Sequence, residues 1–256
     1  MIVIPMAGLS SRFRKEGFQL PKYMLEANGK SLFEHSLLSF EKYFSTERFL
    51  FVALHFEGVE DFIRNKCHLL NIIDYRIVIL SKPTRGQAET VYYGLKESNI
   101  ETDDPILIFN IDTFRLGYSK PVMFDITAVD GYLETFVGEG KNWSNVLPES
   151  SESDKVKLTA EKQEISQYCC TGLYVFNSAS LFVSLFEEIK SSSQADMQGG
   201  EFYVAPMYNS LIASGGDVRF TVIDKEDVIF CGVPEEYYQF KNSGIQKKAC
   251  NSDSGE

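Results

Sequence analysis

The sequence predicts an α/β protein built around a largely parallel sheet, and three observations carry that expectation. Apolar runs recur at residues 1–4, Phe49–Leu54, Tyr75–Leu80 and 105–112. Between them lie segments whose apolar residues fall at helical spacing. Runs and helical segments alternate, as in βαβ units, whose crossovers make neighbouring strands parallel.

Taken in order, residues 1–4 form a short strand and residues 5–28 a loop rich in Gly, Ser and Pro. Ser31 and Glu34 make a capping-box pattern, and Phe33, Leu37, Phe40 and Phe44 continue it at helical spacing. The run at Phe49–Leu54 reads as a buried strand and residues 59–70 as a helix. Tyr75–Leu80 is another strand. Residues 87–96 put Ala88, Val91, Tyr92 and Leu95 on one helical face, and residues 105–112 form a fourth strand. The second half is richer in β, with strands expected over 126–137, 156–159 and Tyr168–Phe176. A helix over 178–190 carries Leu181, Phe182, Leu185, Phe186 and Ile189. A helix over 201–213 and strands over 218–222 and 228–231 complete the pattern. The polar stretches 149–155 and 191–200 read as mobile loops and 246–256 as a disordered tail. One domain over residues 1–245 is expected.

The 256 residues are 44% hydrophobic and 24% charged, an ordinary globular composition. A net charge of −11 argues against nucleic acid as a partner, because a phosphate backbone rewards basic surfaces. The apolar run at the start is too short for a signal peptide, and no stretch approaches a membrane span. A cytoplasmic location is expected. The five cysteines show no metal spacing, and Cys169 and Cys170, adjacent on a strand, should point to opposite faces as small hydrophobes. His35, His55 and His68 form no ligand pattern, and Trp143 is expected to pack.

Against the acidic background, Arg12, Arg14, Lys15 and Lys22 cluster in the first loop. Ala7 and Gly8 follow the first strand, and Gly8 permits close approach of backbone amides to an anion. Ser10 and Ser11 add hydroxyls, Arg12 a forked cation suited to phosphate, and Lys22 an ammonium returning to the same place. Gly86 and Gln87 open a helix after a strand. There the glycine lets backbone approach a planar group, and the amide offers both donor and acceptor. Asp112 closes the fourth strand, where open α/β sheets bind ligands. It is either a turn-forming side chain or a carboxylate for Mg²⁺. Glu161 and Lys162 offer a hydroxyl acceptor and a phosphate partner, with Gly172 shortly after and Glu201 following Gly200.

This order of motifs resembles the sugar-phosphate nucleotidyltransferase family, which includes glucose-1-phosphate thymidylyltransferases and mannose-1-phosphate guanylyltransferases. The resemblance covers residues 1 to about 240. It implies a three-layer, Rossmann-like fold with a mixed, mostly parallel sheet. It also implies transfer of a nucleoside monophosphate from a nucleoside triphosphate to a phosphorylated small molecule, foremost a sugar 1-phosphate, with Mg²⁺ as cofactor. By the same resemblance Arg12, Lys22 and Asp112 are catalytic and Asp112 holds the metal. Ala7, Gly8, Ser10, Ser11, Gly86 and Gln87 contact the nucleotide; Glu161, Lys162, Gly172 and Glu201 contact the acceptor. Homo-oligomers are common in the family, and the pathway implied is surface polysaccharide synthesis.

The sequence departs from the family at Ser10, where glycine is frequent, and at Phe230, where a second aspartate is frequent. Asp224, Asp227, Glu235 or water remain as alternatives for the second metal ligand. Rival readings are a cytidylyltransferase acting on phosphocholine or another non-sugar phosphate, a nucleotide-sugar-dependent glycosyltransferase, and a nucleotide-sensing subunit without catalysis.

Overall fold

The computed structural model describes residues 1–100, 103–191 and 200–244. The expected tail at 246–256, Cys250 and most of the expected loop at 191–200 lie outside the described residues. The first half runs β1 (Ile2–Met6), α1 (Ser11–Lys15), a short hairpin of β2 (Glu26–Ala27) and β3 (Lys30–Ser31), α2 (Leu32–Leu37), β4 (Phe49–Leu54), α3 (Val59–Leu69), β5 (Tyr75–Leu80), α4 (Gln87–Glu97) and β6 (Ile106–Phe109). The second half holds β7 (Thr113–Arg115), β8 (Gly131–Val137), β9 (Ser144–Pro148), β10 (Val156–Glu161), β11 (Tyr168–Phe176), α5 (Ala179–Ser191), α6 (Met207–Ala213), β12 (Val218–Ile223), β13 (Val228–Phe230) and α7 (Pro234–Asn242).

Among the described residues, nine strands form one mixed sheet. Its path is β10-β9-β11-β6-β1-β4-β5, with β8 paired to β11 and β12 to β8. Strands β6, β1, β4 and β5 are parallel, while β11 runs antiparallel to β6, β8 and β9. Both faces of the parallel part are covered, which is why its strands read as unbroken apolar runs. Val3, Leu50, Val52, Ile106 and Ile108 face one core, with α4, α5 and α6. Their alternates Ile2, Ile4, Phe49, Phe51, Leu107 and Phe109 face the other, with α2 and α3. Cys169 and Cys170 do point into different clusters, both buried, and Trp143 packs edge-on against Phe136 at 5.2 Å.

Ser31 and Glu34 form the expected capping box, and the helix they start turns into a tighter 3₁₀ stretch after Leu37. Elsewhere tertiary contacts override local pattern. The helix expected over 201–213 begins only at Met207, because Pro206 has no N–H and the backbone of Phe202 is bonded to Arg85 and Ala88 instead. The strand expected from residue 126 begins at Gly131, since Asp125 folds a turn over Thr127 first. Strand β9 and helix α7 were not expected. Among the described residues no helix is long and apolar enough to cross a membrane.

Candidate active site

The C-terminal ends of β1 and β6 meet the ends of β9 and β10 along one edge of the sheet. Gly172 creates that junction. It sits at φ +94°, at the register break in β11, and its carbonyl accepts the Asn110 N–H at 3.1 Å. Beyond it β11 pairs with β6; before it, with β9. A Cβ at Gly172 would stand 2.5 Å from Asn110 Nδ2, so the absence of a side chain here lets Asn110 pack against β11 as it leaves β6.

After β1, Ala7 is buried, whereas Gly8, Ser11 and Arg12 are exposed and Gly8 faces open space. Ser10 is in the left-handed region at φ +52°, a conformation glycine adopts freely, which accounts for the glycine frequent in related sequences. Its hydroxyl accepts the Lys22 N–H at 3.2 Å, fastening the two ends of the loop together. Phe13 anchors the loop from below. It is buried with Leu25, Leu32, Phe114, Tyr237 and Phe240, and the Tyr237 hydroxyl donates to Glu26 O at 2.9 Å. Helix α7 is thus the strut under the basic loop. Its sequence signal was slight, a proline at the first position followed by two glutamates and only two buried aromatics.

Asp112 lies in the turn after β6, not in the strand. Lys22 Nζ donates to its Oδ2 at 2.5 Å, with both side chains about one-fifth exposed. Its carbonyl accepts the Cys231 N–H at 2.8 Å, and a Cβ at Gly232 would lie 3.1 Å from Oδ2. The same position is 3.7 Å from Glu236 Oε2, which also accepts the Gly232 N–H at 2.8 Å. Phe230, opposite Thr113, packs on Trp143 with ring centres 4.6 Å apart. Asp227 lies past the far end of that two-stranded ladder, where its carbonyl accepts the Leu116 N–H and its carboxylate is 3.9 Å from Arg115. Asp224 precedes it, and Glu235 is exposed on α7. Of the carboxylates on this segment, Glu236 faces the same glycine as Asp112. Among the described residues no group of three or more His, Cys, Asp and Glu is arranged to hold a metal. Mg²⁺ needs fewer, since it takes one or two carboxylates together with phosphate oxygens and water, and Asp112 suits that chemistry.

Gln87 donates to Asn110 Oδ1, so the loop before α4 is tied to the end of β6. Gly86, at φ +121°, has backbone of its own chain against it: a Cβ would be 2.5 Å from Phe202 O. That contact brings the segment Glu201–Tyr203 alongside. Glu161 is buried, accepts from Ser144, and has its pKa raised by burial, with Lys162 opposing and Glu201 adding to the shift. Lys162 is exposed at φ +53°; its N–H donates to Trp143 O at 2.9 Å and its ammonium to the Tyr203 hydroxyl. The structure therefore gathers the basic loop, Asp112, Gln87, Glu161, Lys162 and Glu201 at one sheet edge. Sequence reasoning missed Asn110, Ser144, Tyr203 and Glu236. Asn110 alone had a signal, as the polar residue two before Asp112.

No family model matches the sequence, and no curated protein does. Solved structures do. A nucleoside-diphosphate-sugar pyrophosphorylase from Vibrio cholerae is 46% identical, with 94% of this chain and 99% of that chain covered at a TM-score of 0.89. An inositol-1-phosphate CTP transferase from T. maritima has a TM-score of 0.73 at 16% identity, over 96% of each chain. An apo UDP-glucose pyrophosphorylase has 0.74 at 15% identity, over 94% of this chain and 96% of that one. The last two establish the fold alone. Fold and site together are those of a Rossmann-like nucleotidyltransferase. Within that class, the chain belongs to the nucleoside-diphosphate-sugar pyrophosphorylase family.

Proposed function

We propose that the protein transfers the nucleotidyl group of a nucleoside triphosphate to a sugar 1-phosphate and releases pyrophosphate. The observation that carries this is three cationic side chains around one sheet edge, Arg12 and Lys22 after β1 and Lys162 after β10, with Asp112 just past the end of β6. The activity named for the Vibrio cholerae relative supports a sugar acceptor.

In the reaction an acceptor phosphate oxygen attacks the α-phosphorus in line. A new P–O bond forms as the bond to the α,β-bridging oxygen breaks, and its electron pair leaves with pyrophosphate. No covalent enzyme intermediate is required, so positioning and charge neutralisation do the catalysis. Arg12 and Lys22 hold the triphosphate, with Ala7, Gly8, Ser10 and Ser11 lining its loop. Gly86 and Gln87 border the base. Lys162 neutralises the acceptor phosphate, and Glu161 and Glu201 accept from its hydroxyls beside Gly172. The reading includes Mg²⁺, held by Asp112 with Glu236 beside it; when bound, it neutralises charge on the phosphates. We place the enzyme in the cytoplasm and in precursor synthesis for surface polysaccharide.

The test is pyrophosphate release with Mg²⁺, crossing four nucleoside triphosphates with several sugar 1-phosphates, inositol 1-phosphate and phosphocholine. Release that requires both a triphosphate and a sugar 1-phosphate is expected. Release with phosphocholine alone would replace the acceptor class, and nucleotide binding without any release would point to a sensing subunit.

A further inference from the structure

The segment after Gly200 is bonded to the loop before α4 at two backbone positions. The Phe202 N–H donates to Arg85 O at 2.5 Å, and the Ala88 N–H donates to Phe202 O at 3.1 Å. Gly86 permits this closeness, and Arg85 lies over the Phe202 ring at 4.7 Å while its guanidinium pairs with buried Glu89 at 2.7 Å. The next residue, Tyr203, reaches the other way. Its hydroxyl accepts from Lys162 Nζ and donates to the Glu201 carboxylate. The same ammonium stands 4.6 Å from the centre of the Tyr203 ring.

Tyr203 is half-buried and belongs to none of the buried core clusters, so packing does not account for this arrangement. Lys162 meanwhile has its backbone held by Trp143 O in a left-handed conformation. Both ends of the lysine are thereby fixed.

We infer that Tyr203 is a positioning residue for Lys162, aiming its ammonium at the acceptor phosphate, and that Glu201–Tyr203 joins this lysine to the nucleotide-side loop. The inference rests on the reaction proposed above. A lysine ammonium has three donors and a flexible stem. The phenol oxygen takes one donor, leaving two donors for phosphate. Holding the side chain before binding removes part of the ordering cost that the acceptor would otherwise meet. Because Glu201 accepts from the phenol, its carboxylate is satisfied there instead of pairing directly with Lys162.

The experiment is steady-state pyrophosphate release by the full chain, varying acceptor and nucleotide in turn, for wild type, Tyr203→Phe, Tyr203→Ala, Lys162→Met and the double variant Tyr203→Ala with Lys162→Met. Tyr203→Ala is expected to raise the acceptor KM about ten-fold, as for loss of a charge-assisted hydrogen bond. The nucleotide KM should stay within about two-fold. Tyr203→Phe deletes the same hydrogen bond and should reproduce most of that rise in the acceptor KM. With Lys162→Met already present, Tyr203→Ala should add little, because the lysine it positions is gone. Equal rises in both KM values, additive effects, or no change in the acceptor KM would overturn the inference while leaving the reaction standing. Silence from the wild-type protein across the panel would overturn the reaction, and the inference with it.

Discussion

Lys22 Nζ donates to Asp112 Oδ2 at 2.5 Å across ninety residues of sequence. The pair joins the loop after β1 to the turn after β6, and under the proposed reaction a divalent cation would compete with this ammonium for the carboxylate. The two groups are both needed in the proposed reaction, yet they neutralise each other in the protein alone. Lys22→Met should therefore raise Mn²⁺ affinity of the nucleotide-free protein, read by calorimetry. A partly exposed pair contributes about 0.2–1 kcal/mol, so the gain should be roughly 1.4- to five-fold. Unchanged affinity would mean that the lysine does not compete with the metal.

Asp112→Asn and Lys22→Ala should each lower turnover by on the order of 100-fold or more, since Lys22 would neutralise the reacting phosphates directly and Asp112 would hold the cation that does so. Stability should change by about 1 kcal/mol or less, because the pair is not deeply buried. Turnover and denaturant midpoint measured on the same preparations separate the two effects. A variant that keeps near-normal turnover loses the role assigned to it.

Gly172→Ala should be damaging although it removes nothing. The new methyl group would meet Asn110 Nδ2 at 2.5 Å, at a backbone φ of +94°. Overpacking and left-handed strain together should cost about 2–5 kcal/mol. Because Asn110 holds Gln87 and precedes Asp112, turnover should fall further than the loss of folded protein explains. Circular dichroism and turnover at a temperature where the variant is folded provide the check.

Tyr237 tests the strut under the basic loop. Tyr237→Phe deletes only the bond to Glu26 O and should cost about 1 kcal/mol. Tyr237→Ala also opens a void beside Phe13 and Phe18, at ring distances of 6.1 and 5.7 Å, and should cost about 3–5 kcal/mol. The alanine variant should raise the nucleotide KM more than the acceptor KM. The opposite ranking would show that α7 does not support the nucleotide side.

Glu161 yields a pH-dependent prediction. Burial raises its pKa, so the fold favours the protonated acid. For an acid shifted upward, the stability contribution is present below the ordinary glutamate pKa and is lost as pH rises through the folded value. Glu161→Gln mimics the protonated form. It should stabilise the fold at pH 7.5, show no advantage below about pH 4, and weaken acceptor binding. Thermal melts across that range decide the sign; a variant less stable at pH 7.5 would contradict it.

The sequence by itself determined the alternation of strands and helices, the two-sided burial of β1, β4 and β6, and the order of the candidate residues along the chain. Those features are local or periodic: an apolar run, a capping box, a glycine before a basic residue. Tertiary structure alone decided what stands beside what. The start of α6 was set by Phe202 bonding to Arg85 and Ala88, which no helical pattern records. The partner of Asp112 came from a lysine ninety residues earlier. Glu236 reached the neighbourhood of Asp112, and Asp227 did not, because the register of β13 on β7 sets Asp227 at the Arg115 end of the ladder. Tyr203 lay in the stretch after Gly200, where the sequence singled out Glu201 and not the tyrosine. Its place between Lys162 and Glu201 depends on a glycine at residue 86 that lets two backbones touch. Register and close approach are relations between distant segments, so they exist only once the chain has folded.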